Sequence, residues 1–233
     1  MSLRSVKPPH ETRTRILDAA EELFMQHGFE STSMRLLTAK AQANLAAVNY
    51  HFGSKDALIE AVFRRRLDPM NAGRIAELDR LEKAAAGPLS KEGASGTLSP
   101  EAIIRAFVGA SLRMIEDAKC GGRNFIRLLG RTYTDPQKHI RSLIGQLYAP
   151  AMERFKKAFK RALPQMPCDE LVWRIHFMFG TLAYTLAATD TVQLIAGSKP
   201  EDRYDARLLE ERLTAFLASG LNAPLKSSIK KAA

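Results

Sequence analysis

Apolar residues recur almost everywhere in this chain at three- and four-residue intervals, the spacing that lines one face of a helix. From about Glu11 to His27, Ile16, Leu17, Ala20, Leu23 and Phe24 share such a face, with Asp18, Glu21 and Glu22 opposite. Gly28 ends that helix in a left-handed turn. Thr32 is the expected N-cap of a short helix through Ala41, with Met34 and Leu37 turned inward. Asn44 caps a third helix through Phe52, Gly53 breaks it, and Ser54 caps a fourth that begins at Lys55. Pro69 is expected to kink or restart this fourth helix, which runs on to about Ala86.

The segment Gly87 to Pro100 (GPLSKEGASGTLSP) is rich in glycine and serine and reads as a flexible connection. Five further helical stretches follow, at about 100–118, 122–134, 136–163, 169–197 and 201–220. Strand signals are scarce, so the expected class is all-α. The expected organisation is a flexible arm over residues 1–10, a three-helix unit over 11–60, a larger helical unit over 61–221, and a disordered basic tail over 222–233.

Composition narrows the function classes. A chain of 233 residues, 45% hydrophobic and 26% charged, is long enough to bury a sizeable core and ordinary for a globular protein. A formal charge of +10 favours a polyanionic partner, nucleic acid or anionic lipid. Residues 1–66 hold ten Lys/Arg against seven Asp/Glu, so most of the excess lies outside the N-terminal helices. Cys120 and Cys168 have neither CxxC spacing nor a nearby histidine pair, which suits a reduced, cytoplasmic protein without a metal or cofactor. No charged-then-apolar leader opens the chain. The apolar run from Leu171 to Gly197 is interrupted by Arg174, His176 and Asp190, so it reads as a buried helix rather than a membrane span. A membrane-surface protein is the alternative that charge alone permits. An enzyme is not expected, because no nucleophile, metal cluster or carboxylate pair stands at useful spacing.

The most informative stretch is Asn44 to Lys55, NLAAVNYHFGSK. Preceded by Ala41-Gln42-Ala43 as a tight turn, it has the form of a recognition helix in a helix-turn-helix. Leu45, Ala46 and Ala47 are small enough, at the start of that helix, for the backbone to come close to DNA. Asn44 and Asn49 carry the base-edge hydrogen-bonding capacity. Tyr50, His51 and Lys55 can donate to phosphate oxygens, as can Thr32 and Ser33 at the start of the second helix. Each has a bland reading: Thr32 and Ser54 as simple caps, Tyr50 as half-buried, His51 as surface. Arg64-Arg65-Arg66 reads as a solvated helix face.

ETRTRILDAAEELFMQHGFESTSMRLLTAKA followed by NLAAVNYHFGSKDAL closely resembles the N-terminal domain of TetR-family transcriptional regulators, over about Glu11 to Phe63. The resemblance implies a dimeric repressor whose C-terminal helical domain binds a small molecule that releases a palindromic double-stranded operator. It places phosphate contacts on Thr32, Tyr50, His51 and Lys55, and the base-reading helix on Asn44 to His51. Gln42 stands where the family usually has glycine, so a non-glycine residue must carry a left-handed conformation. Asn49 stands where an aromatic is frequent. A later WRIHFMFG is similar to the fatty-acid-responsive subgroup, which implies an apolar, acyl-like ligand.

Candidate pocket residues are Phe107, Met114, Phe125, Leu128, Leu129 and Tyr133, with Leu147, Tyr148, Trp173 and Phe177 on later helices. Plain core is the alternative for each. His176 among apolar neighbours reads as a satisfied core histidine or a ligand contact, and Arg127 with Arg131 as a pocket-mouth pair or exposed cations. The last two helices are the expected homodimer interface. Gly180, Thr181, Ala183 and Ala187 permit close packing, and Leu209, Leu213, Phe216 and Leu217 form a stripe that can instead be buried internally.

Overall fold

The computed structural model describes residues 9–87, 96–116, 122–132, 137–186, 194–195 and 205–225. Within them the chain is helical and contains no strand: α1 Pro9–His27, α2 Met34–Ala41, α3 Leu45–Phe52, α4 Lys55–Ala85, α5 Pro100–Glu116, α6 Gly122–Thr132, α7 Lys138–Ala162, α8 Cys168–Leu186 and α9 Ala206–Asn222. The arm before Pro9, most of the Gly87–Pro100 connection, the expected helix beyond Leu186 up to 193, and the basic tail from 226 lie outside the described residues. The chain divides into two compact units, Met1–Leu67 and Asp68–Ala233.

The first unit closes around Ile16, Ala20, Phe24, Leu37, Val48, Leu58 and Phe63, each no more than 1% exposed. Phe29 bridges the rings of Phe24 and Phe63 at centroid distances of 5.3 and 5.8 Å. Burying such side chains contributes about 2 kcal/mol apiece. Gly28 has φ 80° and donates its N–H to the Phe24 carbonyl, ending α1 as expected.

Three expectations are corrected here. Ser33, in extended conformation, caps α2 by accepting from the Leu36 N–H at 3.1 Å, not Thr32. Thr32 is 1% exposed, and its hydroxyl donates to the carbonyls of Gly28 (2.8 Å) and Leu23 (3.3 Å), tying the loop to α1. Arg65 and Arg66 are not solvated: Arg65 pairs with Asp18 at 2.5 Å and with Glu21, and Arg66 reaches Glu21 at 3.1 Å. These pairs fasten the first part of α4 to α1 within the unit that runs to Leu67. Pro69 does not restart α4, which is one helix from Lys55 to Ala85 with the proline inside it.

In the second unit, α5 buries Ile103, Ile104, Phe107, Val108 and Leu112, and packs on α6, α7 and α9. Gly109 lets α9 come close, since a Cβ there would meet the Glu210 carboxylate at 3.2 Å and the Arg113 side chain at 3.0 Å. α8 buries Leu171, Ile175, Met178, Leu182 and Leu186 at helical spacing. Arg174, 8% exposed, accompanies them because its charge is answered. Its Nε donates to Glu170 at 2.7 Å, and Nη1 donates to the carbonyls of Leu221 (2.8 Å) and Ala223 (2.6 Å) at the end of α9. Those carbonyls have no partner inside their own helix, so Arg174 serves as the α9 cap. No described helix is long and apolar enough to cross a membrane.

Candidate nucleic-acid interface and ligand cavity

Three caps set the termini of the first unit's helices. Ser33 caps α2, Asn44 Oδ1 accepts from the Ala47 N–H at 2.7 Å, and Ser54 Oγ accepts from the Ala57 N–H at 3.1 Å. The remaining first-turn N–H groups stay available to an anion. Gln42 takes φ 49°, ψ 45°, the only positive-φ residue other than glycine among those described. Ala43 N–H then bonds the Thr38 carbonyl at 3.0 Å, which closes the turn between α2 and α3.

With Val48 buried, α3 presents Leu45, Ala46, Asn49 and Tyr50 to solvent. Tyr50 is 83% exposed, its ring edge-on to His51 at 5.1 Å. A phenol so uncovered is accessible to a partner. Asn49 is likewise exposed. Asn44 is exposed too, but its Oδ1 is spent on the cap, so its amide NH2 is what remains to read a base edge. Lys55 Nζ donates to the Glu30 carbonyl at 3.2 Å, pinning the loop between α1 and α2. Thr32 is the residue the structure removes from the expected phosphate contacts, because its hydroxyl is buried and committed to carbonyls. Arg35, exposed in the first turn of α2 two residues past Ser33, was not singled out by sequence reasoning, although cation type and cap proximity could have marked it.

The second unit holds an open cleft of about 320 Å³ walled by α6, α7 and α8. Ile144, Met152 and Phe179 make it largely apolar, and Thr132, Arg141 and His176 are among its polar members. Behind it lies a small enclosed chamber of about 10 Å³, the room of one water, reached by Arg74, Ser111, Leu129 and Leu182. Tyr148 and Phe179 line both spaces.

Of the residues expected in a pocket, Leu129, Tyr148 and His176 line these spaces. Phe107, Met114, Phe125, Leu128 and Leu147 are buried as core. Tyr133 and the side chains of Arg127 and Arg131 lie outside the described residues. Trp173 and Phe177 are corrected: at 57% and 61% exposure they stand on the outer face of α8, with Tyr184 on the same face. The α9 stripe is mostly spent within the unit, where Leu213 and Leu217 are buried and only Phe216 remains outward, 68% exposed. Sequence reasoning missed Arg74, Arg141 and Phe179. Nothing in a helical repeat distinguishes a cavity wall from a core contact.

Comparison with known proteins agrees with both units. Residues 16–62 match the family described as bacterial regulatory proteins, tetR family, and residues 105–220 match the tetracyclin repressor-like C-terminal domain. The chain is similar to the transcriptional regulator UidR of Escherichia coli K12, 45% identical over 51 residues, 22% of this chain and 26% of that protein. It is also similar to the transcriptional repressor AcnR of Corynebacterium glutamicum, 32% identical over 78 residues, 34% of this chain and 39% of that protein. The chain thus spans a quarter to two-fifths of the length of these relatives. Among solved structures, Bacillus subtilis FadR in complex with stearoyl-CoA superposes with a TM-score of 0.60 at 12% identity, covering 89% of this chain and 98% of that one. That likeness establishes the fold. Matched in its DNA-reading unit and again across its larger helical unit, the chain belongs to the TetR family of transcriptional regulators.

Proposed function

We propose that this chain is a dimeric repressor that holds a palindromic DNA operator through α3 and lets it go when an apolar ligand occupies the second unit. The observation that carries the DNA part is the bare, capped α3 surface, with Asn49 and Tyr50 exposed beside first-turn N–H groups. Asn49 and the Asn44 amide supply base readout, and Tyr50, His51, Ser33 and Lys55 supply backbone contacts. Leu45, Ala46 and Ala47 keep the helix slim at its point of entry.

Dimerisation is assigned to α8 and α9, which hold Trp173, Phe177 and Phe216 largely exposed on their outer faces. The ligand is assigned to the cleft beside Tyr148 and Phe179, a volume within the usual range for small-molecule sites. An acyl ligand is supported by the apolar walls and by the fold shared with a protein solved with stearoyl-CoA. α4 places Leu58 and Phe63 in one core and Arg74 at the cavity of the other unit, so it is the element through which occupancy acts.

The test is footprinting with the wild type and a Tyr50→Ala/Lys55→Ala double variant that retains its helical circular dichroism. Affinity is expected to fall about 10- to 100-fold, with a shallower salt dependence. Undiminished operator binding in the double variant refutes the assignment of α3.

A further inference from the structure

The wall of the inner chamber has one member of a different kind. Arg74 is 1% exposed, with its guanidinium carbon 3.8 Å from the Phe107 ring centroid and 5.4 Å from that of Tyr148. Its described bonds run from Nε to the Phe107 carbonyl (3.1 Å), from Nη1 to Asn71 Oδ1 (3.0 Å) and from Nη2 to Ser111 Oγ (2.5 Å). Those bonds and the two aromatic faces fix the plane of the fork before any ligand arrives. The rest of the chamber is hydrocarbon, from Leu129, Leu182 and Leu186 among others.

A guanidinium held rigidly in an apolar wall attracts a carboxylate by charge-assisted hydrogen bonding. The chamber alone is too small for more than one or two atoms, but the cleft of about 320 Å³ lies on the other side of Phe179. Phe179 is only half-buried and meets Phe107 and Tyr148 edge-on, at 5.0 and 6.0 Å. Tyr148 and Phe179 line both spaces, so a turn of the Phe179 side chain is what a ligand reaching from the cleft to Arg74 requires.

We infer that the second unit takes an amphipathic monocarboxylate, its carboxylate on Arg74 in place of the Ser111 hydroxyl at Nη2, and its hydrocarbon body running past Phe179 into the cleft. This rests on the reading that residues 68–233 house the effector. It sets which end of the ligand is read, and makes Arg74 the residue that discriminates an acid from a neutral molecule of the same length. The cleft mouth offers a different anchor, Arg141, and the experiment separates the two.

Titration calorimetry on the full chain at about pH 7.5, with octanoate and dodecanoate against the alcohols of equal length, gives the discrimination directly. The acids are expected to bind at least tenfold tighter than the alcohols, a site built for a charged group rejecting its neutral analogue. Arg74→Lys is expected to shrink that ratio and Arg74→Gln to bring it near one. A wild-type measurement stands beside these in case the buried variants do not fold: the carboxyl carbon of bound [1-13C]octanoate, followed by NMR, is expected to titrate at lower pH than the free acid. Equal affinity for acid and alcohol, a preference that survives Arg74→Gln, or a bound carboxyl that titrates no lower than the free one overturns the inference. A preference lost in Arg141→Gln but kept in Arg74→Gln moves the head group to the mouth and also overturns it. Alcohols that bind as well as acids and still release DNA leave the regulatory reading standing while this inference falls.

Discussion

Thr32 and Ser33 are adjacent, chemically similar and used in opposite ways. Ser33 faces solvent and serves the α2 N-terminus, whereas Thr32 turns inward and satisfies two carbonyls at the end of α1. Thr32→Val keeps the volume and leaves those buried carbonyls unanswered, so a loss of about 1–3 kcal/mol is expected in urea unfolding. Gln42 is the converse case. Its left-handed backbone strains any side chain, and Gln42→Gly is expected to raise stability by about 1 kcal/mol, read as a higher denaturation midpoint. A fall in midpoint would show that the Gln42 side chain compensates for the strain. Both residues were conspicuous in the sequence, but only one was assigned correctly. The Gln42 strain follows from local turn chemistry, whereas the choice between Thr32 and Ser33 depends on burial against α1. Arg74 was not legible at all. Its acceptors come from positions 3, 33 and 37 residues away along the chain, and only folding gathers them.

At the level of elements, caps decided what could be read. α2, α3 and the start of α4 were bounded within a residue by Ser, Asn and Gly signals, because those signals act locally. α8 is described from Cys168 to Leu186, and most of the expected stretch beyond it up to 197 lies outside the described residues. Arg174 gives α8 a second role as the support for the end of α9. Arg174→Met is expected to cost about 3 kcal/mol and to speed amide exchange in the last turn of α9 before it changes α5. Where α4 meets α7, the hydrogen bond from Arg154 is the main force holding the Glu82 carboxyl below its ordinary 4.5, against the opposing effect of burial. A carboxyl lowered in the fold stabilises above its unfolded value, and that contribution is lost as pH falls through the lowered value. Unfolding midpoints between about pH 3 and 6 are therefore expected to decline less steeply in Glu82→Gln than in the wild type.

For the molecule as a whole, the charge of +10 pointed to an anionic partner without saying where. α7 alone carries Lys138, Arg141, Arg154, Lys156, Lys157, Lys160 and Arg161 against Glu153. Several of these cations are answered by neighbours, Arg154 by Asp79 and Glu82, Arg161 by Glu82. Net charge is thus a poor guide to the DNA-reading surface, where exposure and capping say more. The outward face of α8 has a practical consequence. Trp173 is the sole tryptophan of the chain and stands 57% exposed on that face. If the proposed α8 contact forms between subunits, its emission gauges association: a red, readily quenched spectrum at high dilution should shift to the blue and resist iodide as concentration rises. A spectrum that stays unchanged over the whole range of association seen by sedimentation would place the contact elsewhere.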